Sequence, residues 1–195
     1  IVVIMYYVYR RDRFPEPVRV VGVTFLLGVA TVFPISLLIP VVEGFAETLY
    51  LSGESPYFYE SFVRAAFLEE TAKWAILLLF CIKLNEFNEP MDGIVYGVTV
   101  SLGFATYENY DYVFYWAKEW GIDPQQMAIW RSYSASPLHG LCGVVMGFYF
   151  GMYSFTANKK YLILSLLIPY IAHGLYNFLS YPGHFVILGI LTLFV

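Results

Sequence analysis

Long, continuous apolar runs constrain this sequence more than any other feature. A bilayer core of about 30 Å is crossed by a helix of about 20 apolar residues. Five runs reach that length, at about 18–42, 62–84, 92–116, 137–156 and 161–181. The ten-residue alternation of an outer-membrane barrel is absent, and a helix in lipid satisfies its own backbone hydrogen bonds. The runs therefore predict transmembrane helices.

Shorter apolar stretches, each about half a span long, lie near both ends of the sequence, at 1–9 and 185–195. Counting them gives about seven or more spans, with those at the termini truncated. The sequence has no internal repeat and no low-complexity segment. We therefore expect a single integral membrane domain over 1–195 with an all-α fold, a polytopic transmembrane helical bundle.

The composition excludes several classes of protein. Charged residues make up 13 % of the chain and hydrophobic residues 59 %, whereas a soluble domain carries about 25 % charged residues. A soluble enzyme is therefore excluded, and the expected surroundings are a lipid bilayer. The net charge of −4 provides no basic face for phosphate backbones, so no nucleic-acid partner is expected. Cys81 and Cys142 lie within apolar runs, where thiols behave as small hydrophobes.

The positions of Lys and Arg predict the orientation in the membrane. Seven of them fall on one side of the predicted spans and three on the other, with Lys73 inside a span. The positive-inside rule places the connection with Arg10–Arg19 and the link with Lys159 and Lys160 in the cytoplasm. The acidic loop 43–61 and the segment 117–136 then face outward. That segment has an Asp-Pro turn followed by an amphipathic stretch, which we expect to lie at the membrane interface.

Polar residues interrupt the apolar runs, although a charge at the bilayer centre costs at least about 2.5–3.5 kcal/mol. They are Glu69, Glu70, Lys73, Glu108, Asn109, Asp111, His139, His173 and Asn177. At the helical rise of 1.5 Å per residue, Glu69, Glu70, Glu108 and His173 lie about 10–12 Å below the outer end of their own helices. His139 lies at a similar depth if its helix begins near Arg131, and it is shallow if the helix begins at Pro137. Because neighbouring helices run in opposite directions, we expect these side chains to meet at one level near the outer face.

The segment E-E-T-A-K contains two carboxylates and one cation within two helical turns. Glu69 and Lys73 are spaced i, i+4, and Glu70 and Lys73 are spaced i, i+3. A buried ion pair that fixes helix packing needs only one carboxylate, and here there are two. Two carboxyls beside one lysine can differ in protonation, which acid–base catalysis requires. Both interpretations remain open from this segment alone.

The histidines and an asparagine supply the other candidate groups. His173 and Asn177 share a helix face, and together they could donate to a developing oxyanion or could simply hydrogen-bond between helices. His139 precedes Gly140, Gly143, Gly147 and Gly151, whose four-residue spacing predicts a close helix–helix face. Alone, His139 is more often a structural residue. Its neighbour Cys142 is interpreted as a packing residue.

Alternative functions follow from the same residues. Glu69 or Glu70 with His139 and His173 would make a His₂-carboxylate zinc site, although no local pair has metal-ligand spacing. A proton-coupled transporter would also place carboxylates within spans, but it usually has two related halves, which are absent here. A non-catalytic membrane scaffold would retain the fold and lack one of the glutamates or histidines.

In combination, these residues resemble the PrsW family of intramembrane proteases, which is related to the CAAX prenyl endopeptidases and bacterial immunity-protein homologues. The matching motifs are E-E-x-x-K from Glu69 to Lys73, D-G-x-x-Y-G and G-F-A-x-x-E-N between Asp92 and Asn109, P-x-H-G with His139, and H-G-x-x-N from His173 to Asn177. The match covers about 67–178, and the predicted catalytic core is about 62–181. Residues 18–61 match in hydropathy alone.

The resemblance implies a glutamate-dependent endopeptidase that needs no metal or other cofactor. Its implied substrate is a single-span membrane protein similar to an anti-sigma factor, cut on the extracytoplasmic side as a first (site-1) cleavage. The implied location is a prokaryotic plasma membrane, crossed several times. We hypothesise that Glu69 or Glu70, with His139, activates a water, and that His173 and Asn177 stabilise the oxyanion. Lys73 would orient the carboxylates, and Glu108 with Asn109 would support the site.

Overall fold

The computed structural model describes residues 1–53 and 55–180, and in these ranges it contains helices and no strand. The α-helices are α1 (Val2–Arg11), α2 (Val18–Ala30), α3 (Val32–Thr48), α4 (Ser55–Phe58), α5 (Leu68–Leu79), α6 (Pro90–Asp111), α7 (Ala117–Glu119), α8 (Pro124–Tyr133), α9 (Ala135–Thr156) and α10 (Lys159–Leu179). Two π-helices, Tyr59–Phe67 and Tyr112–Trp116, and a 3₁₀ turn, Cys81–Lys83, complete the order. The predicted all-α fold is confirmed.

Three described helical segments are long and apolar enough to cross a membrane: Val18–Thr48, Pro124–Thr156 and Lys159–Leu179. They contain three of the five predicted spans. The runs 62–84 and 92–116 are also helical, but the charged residues within them lower their hydropathy. The terminal stretch 185–195 lies outside the described residues, and the predicted total of about seven spans is not confirmed.

Helix α6 occupies the centre of the fold, and its neighbours approach its backbone at glycines. A Cβ atom on Gly143 of α9 would lie 2.7 Å from the carbonyl oxygen of Gly97 on α6. Gly147 and Gly151 make equally close contacts with the first turns of α6. On another face, Gly28 of α2 abuts the α6 backbone at Val100. The close helix–helix face predicted from the glycine spacing is thus present, because only a hydrogen side chain permits this approach.

Irregular backbone flanks the helices that carry the polar residues. The π-helix Tyr59–Phe67 leads directly into α5, so that Glu69 and Glu70 lie in the first turn of α5. Helices α8 and α9 are separated by Ser134 alone, whose backbone leaves helical geometry at φ −120° and ψ −78°. Because α9 begins at Ala135, His139 lies in its second turn. Such interruptions change the direction of one helix relative to the next, and they thereby determine where Glu69, Glu70 and His139 lie.

The segment that follows α7 has the structure that its sequence predicts. Asp123 caps α8 by accepting a hydrogen bond from the backbone N–H of Gln125, and Pro124 occupies the first helical position. Helix α8 buries Met127 and Arg131, while most of its other side chains are exposed. The amphipathic stretch therefore folds as a helix that leads into α9.

Candidate active site

Four helices bring the polar residues of the apolar runs into one cluster. Helix α5 supplies Glu69, Glu70 and Lys73, α6 supplies Glu108, α9 supplies His139 and α10 supplies His173. The imidazole rings of His139 and His173 meet edge to face, with centroids 5.1 Å apart. These side chains lie near the N-terminal ends of α5 and α9 and near the C-terminal ends of α6 and α10. Polar residues of separate helices therefore meet at one level, as expected.

Lys73 lies at the centre of the cluster and has no exposed surface. Its Nζ atom is 2.8 Å from Oε1 of Glu70, 3.5 Å from Oε2 of Glu69 and 3.2 Å from Nδ1 of His139. The ammonium group also lies 4.2 Å from the ring centroid of Phe104, within cation–π distance. Lys73 therefore supplies the positive charge that permits two carboxylates to be buried side by side.

The contacts of His139 fix its tautomer. The Lys73 ammonium group can only donate, so Nδ1 of His139 accepts and carries no proton. Nε2 then carries the proton and donates to Oε2 of Glu108 at 2.8 Å. Both ring nitrogens are thus engaged, and His139 connects the Lys73 ammonium to the Glu108 carboxylate.

His173 differs from His139 because one of its ring nitrogens remains available. Its Nδ1 lies 2.8 Å from Oε1 of Glu70, an oxygen that also accepts from Lys73, so Nδ1 is the donor. Its Nε2 lies 3.8 Å from Oε2 of Glu69, which is beyond direct hydrogen-bonding distance. A small molecule can therefore bridge Nε2 of His173 and the Glu69 carboxylate.

The two glutamates have unequal surroundings. Glu70 is completely buried, whereas 12 % of the Glu69 side chain and 18 % of the Glu108 side chain are exposed. Oε2 of Glu69 and Oε2 of Glu70 are both buried without a hydrogen-bond partner among the described residues. The cluster is thus open on the side of Glu69 and Glu108, and it has unused acceptor capacity.

Arg131 is a site residue that the sequence interpretation missed. Its guanidinium group donates to Oε2 of Glu108 at 2.5 Å and to Oδ1 of Asn109 at 2.6 Å, and it stacks over the ring of Tyr112. Asn109 in turn donates to Ser136 at the start of α9. A lone arginine in the amphipathic stretch before a span was the available signal. The sequence does not show that α8 folds back on α6, and Arg131 is recognised as a site residue only from that contact.

Asn177 lies one helical turn after His173 on α10 and is partly buried. Its side-chain amide forms no hydrogen bond within the described residues. The amide group is therefore free to donate to a ligand, on the helix face that also carries His173. Cys142 is buried, and its thiol contacts the carbonyl oxygen of Pro169, in agreement with a packing role. The third histidine of the chain, His184, lies outside the described residues.

Comparison with known proteins identifies the family. A family model described as "PrsW family intramembrane metalloprotease" matches residues 16–195. The chain belongs to the PrsW family of intramembrane proteases. It is 40 % identical to Protease PrsW of Bacillus subtilis over 182 residues, covering 91 % of this chain and 78 % of that protein.

Further relatives named Protease PrsW support the same family assignment. The chain is 39 % identical to Protease PrsW of Geobacillus kaustophilus, covering 91 % of this chain and 75 % of the relative. It is 34 % identical to the Clostridioides difficile protein of the same name, covering 90 % and 73 %. No solved structure matches this chain. The protein is thus a membrane-embedded peptide hydrolase of a bacterial family, as the motifs predicted.

The description of the PrsW family implies a metal, and the donor set of this cluster fits one. Glu69, Glu70, His139 and His173 each offer a ligand atom, and these atoms lie within 4.8 Å of one another. Imidazole and carboxylate are the ligands that Zn²⁺ accepts, and two carboxylate oxygens lack a partner. The Lys73 ammonium, however, contacts three of the four donors and already provides a cation at that position.

Proposed function

We propose that this chain hydrolyses a peptide bond of a single-span membrane protein with a water activated by glutamate and histidine. The observation that carries the proposal is the gap of 3.8 Å between Oε2 of Glu69 and Nε2 of His173. A water in contact with both atoms would be held between two acceptors. Membership of the PrsW family favours proteolysis over the transporter and scaffold functions that the residues alone left open.

Glu69 is the proposed general base. Its carboxylate is partly exposed and makes its ion pair with Lys73 at 3.5 Å, whereas Glu70 is enclosed between Lys73 and His173. Glu69 would take a proton from the water as the hydroxide oxygen attacks the peptide carbonyl carbon. The same carboxyl group would then return the proton to the leaving nitrogen, so that the base is regenerated.

Glu70 and Lys73 are proposed as positioning residues. Glu70 accepts a hydrogen bond from the Nδ1–H group of His173. The lone pair on Nε2 of His173 is therefore directed away from Glu70. This arrangement revises the roles expected from the sequence, where His139 accompanied the base and His173 stabilised the oxyanion. The reason is that both nitrogens of His139 are engaged by Lys73 and Glu108. The unpaired Asn177 amide is the proposed oxyanion donor.

The proposed substrate resembles a membrane-anchored anti-sigma factor, and the proposed cut is a site-1 cleavage on the extracytoplasmic side. The reactive residues lie within the first two turns of α5 and α9 and within the last two turns of α6 and α10. This is the end of the bundle opposite the link with Lys159 and Lys160, which the positive-inside rule assigns to the cytoplasm. A scissile bond just outside the substrate's span would reach this level.

A zinc-dependent protease is the second candidate, and the four clustered donors favour it. Glu69, Glu70, His139 and His173 would hold the ion after displacement of the Lys73 ammonium. When bound, zinc lowers the pKa of a coordinated water and polarises a carbonyl. We prefer the metal-free reaction because Lys73 contacts three of the four donors without any rearrangement.

The test is cleavage of a single-span reporter with a candidate site in its outer juxtamembrane segment, by purified protein in lipid nanodiscs. The proposal predicts cleavage by wild type after extraction with phenanthroline and EDTA, and loss of cleavage in Glu69→Gln. Glu47→Gln is the matched control, because Glu47 lies exposed on α3. Activity that disappears on chelation and returns with Zn²⁺ would instead establish the second candidate. Activity retained in Glu69→Gln would overturn the base assignment.

A further inference from the structure

A second group of carboxylates lies outside the cluster described above, at the other end of α6. Asp12, from the connection between α1 and α2, meets Glu89 and Asp92 at the start of α6. One carboxylate oxygen from each residue lies within 4.8 Å of the others. The Glu16 carboxyl lies beside that of Asp92 and adds a fourth acid. We call Asp12, Glu16, Glu89 and Asp92 the acidic cluster.

Three members of the acidic cluster are buried and Glu89 is partly exposed, and the cluster lacks a nearby cation among the described residues. Asp12 is 5 % exposed, Glu16 3 % and Asp92 1 %. Within the described residues, no Lys or Arg forms an ion pair with any of the four at 4.0 Å or less. Arg13 acts on Glu89 only from a greater distance. Burial of carboxylates without a compensating charge is strongly unfavourable, so these groups either keep their protons or bind a counter-ion.

An orphaned oxygen within this cluster points independently to a ligand. Oδ2 of Asp12 is inaccessible to solvent and has no hydrogen-bond partner among the described residues. The other oxygen, Oδ1, accepts from the backbone N–H of Phe14 at 2.9 Å. That hydrogen bond holds the Asp12 side chain in place. Oδ2 is therefore a fixed acceptor without a donor when the Asp12 and Glu89 carboxyls, which lie within hydrogen-bonding reach of each other, are both ionised.

The remaining carboxylates are held in place in the same way. Oδ2 of Asp92 accepts from the backbone N–H groups of Asn88 and Glu89, and the Glu89 side chain accepts from the backbone at Asp92. Oε2 of Glu16 accepts from the hydroxyl of Tyr96 at 2.5 Å. Within the described residues, the second oxygens of Asp92 and Glu16 accept from no backbone N–H or hydroxyl group, and the two carboxyl groups lie within hydrogen-bonding reach of each other. The cluster is thus a preorganised set of oxygen donors.

We propose that the acidic cluster binds a hard divalent cation, Mg²⁺ or Ca²⁺, that joins the connection between α1 and α2 to the start of α6. Both ions prefer carboxylate oxygens, whereas the absence of imidazole and thiolate from this cluster disfavours zinc and copper. The ion neutralises the buried charge and supplies the partner that Oδ2 of Asp12 lacks. It lies at the opposite end of α6 from Glu108, so its role is structural and independent of peptide hydrolysis.

The test measures cation binding and thermal unfolding of the whole chain in nanodiscs, after extraction with EDTA. Wild type is titrated with Mg²⁺ and, separately, with Ca²⁺ up to about 10 mM, a range that covers weak oxygen-donor sites. Asp12→Asn and Glu89→Gln preserve the shape of the side chain and keep an oxygen that can accept the hydrogen bond from the backbone N–H. Glu86→Gln is the matched control, since Glu86 lies in the same connection as Glu89 but outside the cluster.

The proposal predicts saturable binding of at least one ion and a rise in the unfolding temperature of wild type and Glu86→Gln. Asp12→Asn and Glu89→Gln should weaken binding about tenfold or more and lose that rise. Calorimetry gives a dissociation constant for Mg²⁺ and for Ca²⁺, and the ion with the lower value is the one that the cluster prefers. Absence of saturable binding of either ion to wild type overturns the proposal. So does binding to Asp12→Asn and Glu89→Gln that equals binding to the control.

Discussion

The ammonium group of Lys73 lies 3.2 Å from Nδ1 of His139, although 66 positions separate the two residues in sequence. Because of this contact, Nε2 of His139 donates a hydrogen bond to Glu108, and of these two histidines only His173 keeps a free ring nitrogen. Two histidines that look equivalent in the sequence therefore have different roles in the cluster.

Glu69→Gln and Glu70→Gln should separate catalysis from stability. We expect Glu69→Gln to lower kcat about 10²–10⁴-fold, because it removes the proposed base, and to change the unfolding temperature little. Glu70→Gln should lower both, since it breaks a buried pair with Lys73 and a hydrogen bond with His173, at a cost of about 3–5 kcal/mol. Reporter cleavage and thermal unfolding on the same samples test this. Equal destabilisation by the two variants would contradict the assigned roles.

Arg131→Gln should impair cleavage indirectly, because Arg131 contacts Glu108 and Asn109 and is not proposed to contact the substrate. The variant removes two guanidinium hydrogen bonds, to Glu108 and Asn109, and leaves Glu108 with His139 as its remaining partner. We expect kcat to fall about 10–100-fold while KM stays within about twofold, as is typical when a supporting hydrogen bond is lost. Gln125→Ala, on the exposed first turn of the same helix, is the control. A rise in KM alone would assign Arg131 to substrate binding.

Gly143→Ala should separate α9 from α6. The new methyl group would lie 2.7 Å from the Gly97 carbonyl oxygen and 2.8 Å from Cα of Val98, so the helices must move apart. Such overpacking costs about 1–3 kcal/mol, and the same shift lengthens the contact between His139 and Glu108. Lower unfolding temperature and lower activity are expected together. At Gly44 an added Cβ would meet no atom within 4 Å apart from its own helix backbone and chain neighbours, so Gly44→Ala should preserve activity and should not lower the unfolding temperature.

Glu16 predicts a pH dependence of stability in the absence of divalent cations. Burial, reinforced by Asp92 and Asp12 and opposed by the Tyr96 hydroxyl, raises the pKa of Glu16 to about 7. The folded chain therefore retains a proton that the unfolded chain releases at an ordinary carboxyl pKa near 4.5. Stability should fall as the pH rises between these two values and level off above about 7.

Thermal unfolding in EDTA between pH 4.5 and 8 measures this dependence. Glu16→Gln should flatten the decline because it removes the titrating group, whereas Glu47→Gln should retain it. A decline of equal size in both variants would show that another group is responsible.

The sequence determined the helices, the membrane environment and the identity of most site residues. Apolar runs of spanning length are a local property, and a backbone in lipid has few alternatives to a helix. The positions of Glu69, Glu108, His139 and His173 along their helices also follow from the sequence. The shared level of Glu69, Glu108 and His173 could therefore be predicted from chain direction and helical rise, whereas the level of His139 depended on where its helix begins.

Only the tertiary structure decided which atoms meet. The free nitrogen of His173, the enclosure of Glu70 and the participation of Arg131 depend on how helices up to 103 positions apart cross and rotate. A rotation of α5 by about 100°, the angle between successive residues, would turn Glu69 to the direction that Glu70 now faces. The acidic cluster at Asp12 likewise forms because the connection between α1 and α2 folds against α6. Contacts of this kind are set by packing between helices, which no local pattern in the sequence encodes.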